Sequence, residues 1–277
     1  MFVHLLTGSA LSLGLVGLVS GYGGMPLLYG ALAFVVGLNG GTLALNSAFD
    51  RDEGDVAYLK RPPPPPRGLA LFGLGLIVLG MLVALKLPRP FAYAYGLCAV
   101  MSVLYSVPPI RLKAIPGLDW LVNMAGFGLL TPYAGWALTG REVAGPGRMV
   151  LVSFALLFGA LYPLTQIYQL EEDRRRGDRT LASVLGLDRS LLLSILMAVL
   201  AFILFGGAGA ASGWGGGMNG LSRWAALAAA AGAWSMVLLP WWRRRADLDA
   251  SAHQGGMHRA LAAWALTDMA VLFAWAR

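Results

Sequence analysis

Charge is scarce in this chain: only 13% of its 277 residues are Asp, Glu, Lys or Arg, it has 3 histidines, and Cys98 is its lone cysteine. One cysteine excludes an intrachain disulfide, and no Cys/His spacing suggests zinc. Met1 to Ser20 contains no Lys or Arg and no convincing small-residue cleavage site, so it is expected to stay as a membrane helix and not to be removed as a signal peptide. No basic RNA- or DNA-reading motif is present. The net charge of +7 fits loops held against an anionic leaflet, at about 1 kcal/mol per basic residue near the surface, better than it fits nucleic acid.

What is abundant is hydrocarbon. With 57% hydrophobic residues the chain is too apolar for a soluble globular domain. Apolar stretches of roughly 20 residues, the length that crosses about 30 Å of bilayer core, fall near 2–21, 27–47, 68–86, 91–108, 118–138, 148–169, 190–212, 221–242 and 258–276. The expectation is an all-α polytopic membrane protein, a bundle of about nine transmembrane helices. The longest stretch between spans, 48–67, is too short for a soluble domain, so 1–277 reads as a single membrane-embedded domain.

The distribution of Lys and Arg orients the bundle. Fifteen of the 21 lie in the loops after spans two, four, six and eight, and six lie on the other side. The N-terminus and both acid-rich loops are therefore expected in the cytoplasm, in a bacterial inner (plasma) membrane. A weak repeat accompanies this, since the acid-rich loops follow spans two and six, which would let two halves bring them to one cytoplasmic mouth.

Carboxylates are costly near hydrocarbon, so acids held at the ends of apolar helices point to a cation or a polar substrate. In the first loop Asn46, Asp50 and Glu53 recur at i, i+4 and i+7 and share a helix face, with Asp52 and Asp55 adjoining. Such oxygens suit Mg²⁺, which is commonly held by one or two carboxylates plus waters and substrate phosphates. The same residues also read as a solvated loop at a helix end. Lys60, Arg61 and Arg67 flank the run Pro62 to Pro66, which lacks backbone donors and cannot be helical.

The second loop carries Glu171, Glu172, Asp173 and Asp178 among four arginines. It reads as a metal and diphosphate mouth or as a plain surface charge run. Tyr162, Gln166, Gln169 and Asp173 form a polar stripe at helical spacing leading into it, and interhelical hydrogen bonding explains the two glutamines equally well. A third segment, Tyr105-Ser-Val-Pro-Pro-Ile-Arg111-Leu-Lys113, leaves span four on the same side. Arg111 suits a diphosphate through paired donors and Lys113 as a point charge, while positive-inside anchoring accounts for both without a substrate. Asn123 and Asp268 are isolated polar residues in apolar surroundings, read as packing groups.

Together these residues resemble the UbiA-type superfamily of intramembrane prenyltransferases along nearly the whole chain. Asn46…Asp50 looks like the start of that family's NxxxDxxxD motif, Tyr105-Ser…Pro109…Arg111-Leu-Lys113 like its YS-x-PP-x-RLK segment, and Asp173-Arg…Gly177…Thr180-Leu181 like the close of its second acidic motif. There are departures. Gly54 stands four after Asp50, with Asp55 one step late, and Gln166 and Gln169 stand where family members often have Asp.

The resemblance implies Mg²⁺-dependent transfer of a polyprenyl group from its diphosphate to a hydrophobic or aromatic acceptor, as in lipoquinone-like biosynthesis. It implies metal ligands among Asp50, Glu53, Asp55, Glu172 and Asp173, with Asp52, Glu171, Asp178, Gln166 and Gln169 as further candidates. Asn46, Asp50, Asp173 and Tyr105 would be catalytic, and Lys60, Arg61, Arg111 and Lys113 would contact the diphosphate. Tyr105, Tyr162 and Tyr168 could shield an allylic cation through their π faces. Other acceptors within the family are a carotenoid end, a polyol phosphate or a tetrapyrrole acid, and some members cyclise the diphosphate. A transporter with essential midplane groups and a binding-only relative are the readings from other classes.

Overall fold

A computed structural model describes residues 7, 24–50, 64–143, 145–171 and 179–275. The described residues contain helices and connections only, with no strand. The principal helices are α1 (Gly24–Asp50), α2 (Leu69–Ala84), α3 (Arg89–Ser106), α4 (118–137), α5 (Gly145–Gln169), α6 (Leu181–Ala211), α7 (Met218–Arg244) and α8 (Ala250–Trp275). Each overlaps an apolar run of the sequence. Of the first run, 2–21, only Thr7 is described. By length and composition α1, α5, α6 and α7 can cross a membrane, whereas α2 is apolar but shorter.

Side chains such as Leu71, Tyr93 and Met236, all about three-quarters exposed, face outward from the bundle. Apolar surface on that scale suits hydrocarbon, not water. The described residues form two cores. Phe34, Phe91, Tyr95 and Leu138 anchor one among α1 to α4, and Phe154, Phe205, Trp234 and Trp241 anchor the other among α5 to α8. The seam is α4 on α5, where Phe127 stacks on Phe158 at 5.3 Å and Trp120 Nε1 donates to the Gly159 carbonyl at 2.9 Å.

Small residues bring α1 and α2 into backbone contact. A Cβ placed on Gly41 would lie 2.6 Å from the Gly73 carbonyl oxygen, and one on Gly37 would lie 2.8 Å from the Gly80 Cα. Close approach of this kind is how helices gain packing energy where lipid removes any hydrophobic drive between them.

Two helices are underwound. Leu32–Gly40 of α1 and Met124–Leu130 of α4 are π-helical, a geometry that recurs at functional sites. In α4 the Gly126 carbonyl accepts from both the backbone N–H of Thr131, five residues on, and its Oγ1, the latter at 3.0 Å.

The helix α6 begins at Leu181, well ahead of the apolar run at 190–212. Its first amides find acceptors outside the helix. Thr180 Oγ1 takes Ser183 N, Asp119 Oδ2 takes Leu181 N and Gln166 Oε1 takes Ala182 N. Gly186, at φ 73° and ψ 174°, then breaks this polar first segment from the apolar remainder.

Ion pairs and hydrogen bonds gather the connections at one end of the bundle. Asp50 at the end of α1 pairs with Arg111 and Lys113 after α3. Asp119 opening α4 joins the end of α5 to the start of α6, and Asp188 on α6 pairs with Arg245 after α7. The described ends of α1, α3, α5 and α7 thus lie at one end of the bundle.

Candidate functional site

The charged end is built from α1 and the connection after α3. Asn46 and Asp50 are one helical turn apart on α1. Asn46 Oδ1 accepts from Ser106 Oγ at 3.4 Å and from Lys113 Nζ at 3.2 Å. The Lys113 ammonium also pairs with Asp50, and Arg111 Nη2 lies 3.6 Å from the same carboxylate oxygen. Asp50 and Lys113 are largely sheltered, with side chains 15% and 12% exposed, while Arg111 is more open. Arg111 alone among the described non-glycine residues has positive φ, at 38°. That left-handed backbone costs about 1–3 kcal/mol and typically persists where function requires it. Here it turns the chain so that Arg111 and Lys113 both reach Asp50.

One turn below Asn46, the next rung joining α1 to α3 is Thr42 Oγ1 to Ser102 Oγ at 2.8 Å. Thr42 and Ser102 are already the upper wall of a cavity. Phe34, Leu38, Met101 and Val122 make its sides, with Phe127 from the π-helical part of α4. It contains about 490 Å³ of empty space, counting its open side. The walls are mainly hydrocarbon, with Asn39, Thr42, Ser102, Tyr105 and Asn123 as scattered polar groups. A charged rim above an apolar chamber has the shape of an amphiphile with an anionic head and a hydrocarbon tail.

Tyr105 belongs to both chamber and polar interior. Its hydroxyl is 2.7 Å from the Tyr162 hydroxyl on α5. Gln166 follows Tyr162 by one turn of α5, and Asn123 lines the cavity along with Tyr105. Tyr168, also considered as an aromatic shield, packs instead against the core of α5 to α8.

Gln166 is drawn into interhelical bonding: its Nε2 donates to Asp119 Oδ2 at 3.0 Å and its Oε1 accepts from Ala182 N. Gln169 leaves the α-helical stripe because Ile167–Gln169 is a 3₁₀ turn. Glu171 is exposed at the last described position before the second acidic loop. Lys60, Arg61, Asp52, Glu53, Asp55, Glu172, Asp173 and Asp178 lie outside the described residues.

Asp119 carried no motif. It is fully buried, and Gly117 N, Gln166 Nε2 and Leu181 N donate to its carboxylate at 2.8, 3.0 and 3.0 Å. The sequence signal available was modest: an acid two residues after the Pro116-Gly117 pair, at the start of an apolar run, where an acid complements a helix N-terminus. Asp268, isolated in the sequence, accepts from Thr7 Oγ1 at 3.3 Å and is buried.

Among the described residues no group of three or more His, Cys, Asp or Glu side chains converges as a metal cage. Asp50 and the Asn46 carbonyl offer two hard oxygen donors at the charged end, which fits an ion that keeps waters and substrate oxygens in its shell.

A profile of the UbiA prenyltransferase family matches residues 8–266. The chain is 31% identical over 176 residues to a lycopene elongase/hydratase from Halobacterium salinarum, covering 58% of this chain and 62% of that protein. It is 28% identical over 184 residues to a digeranylgeranylglyceryl phosphate synthase from Natronomonas pharaonis, covering 64% of this chain and 63% of that protein. These matches span less than two thirds of the relatives' own length. In fold it is similar to a UbiA homolog from Archaeoglobus fulgidus bound to GPP and Mg²⁺, with a TM-score of 0.68 at 17% identity over 98% of this chain and 95% of that one. The chain belongs to the UbiA prenyltransferase family and is an integral membrane protein.

Proposed function

We propose that this UbiA-family protein transfers a prenyl group from an allylic diphosphate to an apolar, membrane-dissolved acceptor, with a polyene of the carotenoid type as the preferred class. The observation that carries the reading is the placement of Asn46, Asp50, Arg111 and Lys113 one helical turn above the cavity beside Thr42 and Ser102. The names of the relatives, lycopene elongase/hydratase and digeranylgeranylglyceryl phosphate synthase, support lipid-like acceptors over small soluble ones.

Lys113 and Arg111 bind the diphosphate as point charge and paired donor respectively. Asp50 and Asn46 would hold Mg²⁺ from the α1 side, and Asp173, Glu172, Glu53 and Asp55 are the acids that would complete the site. When bound, the ion neutralises charge developing on the leaving diphosphate. The carbon–oxygen bond of the allylic ester breaks with its electron pair going to diphosphate. The π electrons of the acceptor then form the new carbon–carbon bond, and the acceptor cation loses a proton to diphosphate or water. Tyr105 and Phe127 line the chamber and are the aromatic rings that would shield the cation. The charged end faces the cytoplasm, following the fifteen-to-six division of basic residues.

A phenolic ring is the second acceptor reading, favoured by Thr42, Ser102 and Asn123, which could hydrogen-bond a ring substituent in the same cavity. Diphosphate release from geranyl, farnesyl and geranylgeranyl diphosphates by the purified protein in lipid tests both. Release that needs Mg²⁺ and a polyene supports the first reading, release with phenols alone supports the second, and release with no acceptor points to cyclisation or hydrolysis. Tight diphosphate binding without release would favour a binding protein.

A further inference from the structure

We infer that Asn39 is a specificity-determining residue of the acceptor site, its side-chain amide taking an oxygen of the acceptor inside the chamber. The inference rests on the transfer reading above and narrows it to acceptors that are largely hydrocarbon but carry a hydroxyl or carbonyl group. Asn39 belongs to the π-helical stretch Leu32–Gly40 of α1. In a regular α-helix it would stand about 140° around the axis from Phe34. The i to i+5 bonding of a π-helix sets the two one above the other instead. Phe34, Leu38, Asn39 and Thr42 accordingly all line the cavity.

The other hydroxyl and amide side chains of the lining have hydrogen bonds within the protein. Thr42 Oγ1 donates to the Leu38 carbonyl at 2.7 Å, and Ser102 Oγ donates to the Cys98 carbonyl at 2.8 Å. Thr131 Oγ1 donates to the Gly126 carbonyl and Asn123 Nδ2 to the Asp119 carbonyl, while the Tyr105 hydroxyl pairs with that of Tyr162. Among the described residues the Asn39 side chain has no hydrogen-bond partner. It stands near the middle of a helix long and apolar enough to cross the membrane, where bulk water does not compensate it. An unpaired amide is costly in such a place, and polar groups kept there mark substrate paths.

The prenyl donor brings no partner to this depth. Its diphosphate belongs at the rim and its tail is hydrocarbon. Asn39 lies seven residues before Asn46, which at 1.5 Å per residue is roughly 10 Å along the axis. The oxygen that pairs with Asn39 therefore comes with the acceptor. A carbonyl accepts from Nδ2, and a hydroxyl can also donate to Oδ1. Held there, the acceptor keeps its double bonds between Asn39 and the rim, where the allylic carbon is released. A hydrocarbon of the same skeleton leaves the amide unpaired, which is how a site built to hydrogen-bond a ligand rejects the analogue lacking the group.

The test uses the full chain in lipid with Mg²⁺ and geranyl diphosphate, measuring kcat/KM for lycopene, for lycopene carrying one hydroxyl group and for 1-naphthol. Asn39→Leu, close in volume and apolar, is expected to lower the preference for an oxygenated probe over lycopene at least about 10-fold, while KM for geranyl diphosphate moves less than about 3-fold. Differences in the probes' own reactivity cancel when the variant's ratio is divided by that of the wild type. The probe whose preference is lost tells a hydroxylated polyene from a phenol. Because the amide has no partner within the protein, Tm of Asn39→Leu without acceptor should equal or exceed that of the wild type. Asn39→Ala should lose the same preference and covers the case in which leucine does not fit. A preference unchanged in both variants, or activity with every probe that falls in step with Tm, would overturn the role of Asn39. A wild type that releases no diphosphate with any acceptor would instead sink the transfer reading, and the inference with it.

Discussion

Lys113 Nζ donates to Asn46 Oδ1 at 3.2 Å while the same ammonium pairs with Asp50. One cation therefore holds both oxygen-bearing residues at the end of α1, and an incoming anion with its metal would have to share or take over that pairing. The charged rim is preorganised by mutual pairing, in a sheltered setting where such pairs are screened little by salt.

Asp50→Asn should abolish most turnover, by on the order of 100-fold, and raise the Mg²⁺ concentration needed for half-maximal rate, since one charged oxygen ligand is lost. Titrating diphosphate release against Mg²⁺ checks it. Unchanged Mg²⁺ dependence would remove Asp50 from the metal site. Chelation of the wild type by excess EDTA should stop release, with recovery on adding Mg²⁺ back.

Lys113→Gln should act mainly on substrate binding, raising KM for the prenyl diphosphate about 10-fold with a smaller change in kcat, if its charge is used in ground state and transition state alike. An effect confined to kcat would instead place the ammonium on the departing charge alone.

Gly126 lines the cavity, and a Cβ there would meet only Met101 Cε at 3.8 Å. Gly126→Leu should fold and fill the chamber. Rates with geranylgeranyl diphosphate should then fall much more than rates with geranyl diphosphate, in a side-by-side assay of chain lengths. Equal losses would move the hydrocarbon tail elsewhere.

Gly41→Val places a branched side chain where a Cβ alone comes within 2.6 Å of the Gly73 carbonyl oxygen. Backbone cannot give as a flexible side chain can, and overpacking of this kind costs about 1–3 kcal/mol. A lower Tm of the purified protein is expected. Gly75→Val, where a Cβ would meet nothing within 4 Å, is the control that should leave Tm nearly unchanged.

His253 lies on the first turn of α8, ahead of the predicted span at 258–276, and its Nδ1 accepts from Trp241 Nε1 at 2.8 Å. Burial lowers its pKa, against an upward pull from Asp249. A base with a depressed folded pKa binds fewer protons folded than unfolded, so its contribution is intact above the unfolded value of about 6.5 and is lost as pH falls towards the folded value. Tm should drop as pH is lowered through that range, and His253→Gln should flatten the dependence. A slope unchanged in the variant would assign the acid sensitivity to other groups.

The sequence alone marked an apolar run within each described helix and showed that the protein belongs in lipid, because hydrocarbon runs of this length have few alternatives, but it did not mark the early polar start of α6 at Leu181. It also singled out Asn46, Asp50, Tyr105, Arg111 and Lys113, since motif spacing reports a shared helix face or a shared turn. Their meeting, however, depends on Lys113 and Asn46 being far apart in the chain and adjacent only in the bundle. The π-helical turns that shape the cavity leave no mark in composition or periodicity, because the shift of a bond such as Thr131 N–H to the Gly126 carbonyl, five residues back, is set by packing. The two glutamines show the same limit. Gln166 falls on the polar stripe with Gln169, yet its task is set by Asp119 and the first amides of α6, partners that only tertiary structure brings to it.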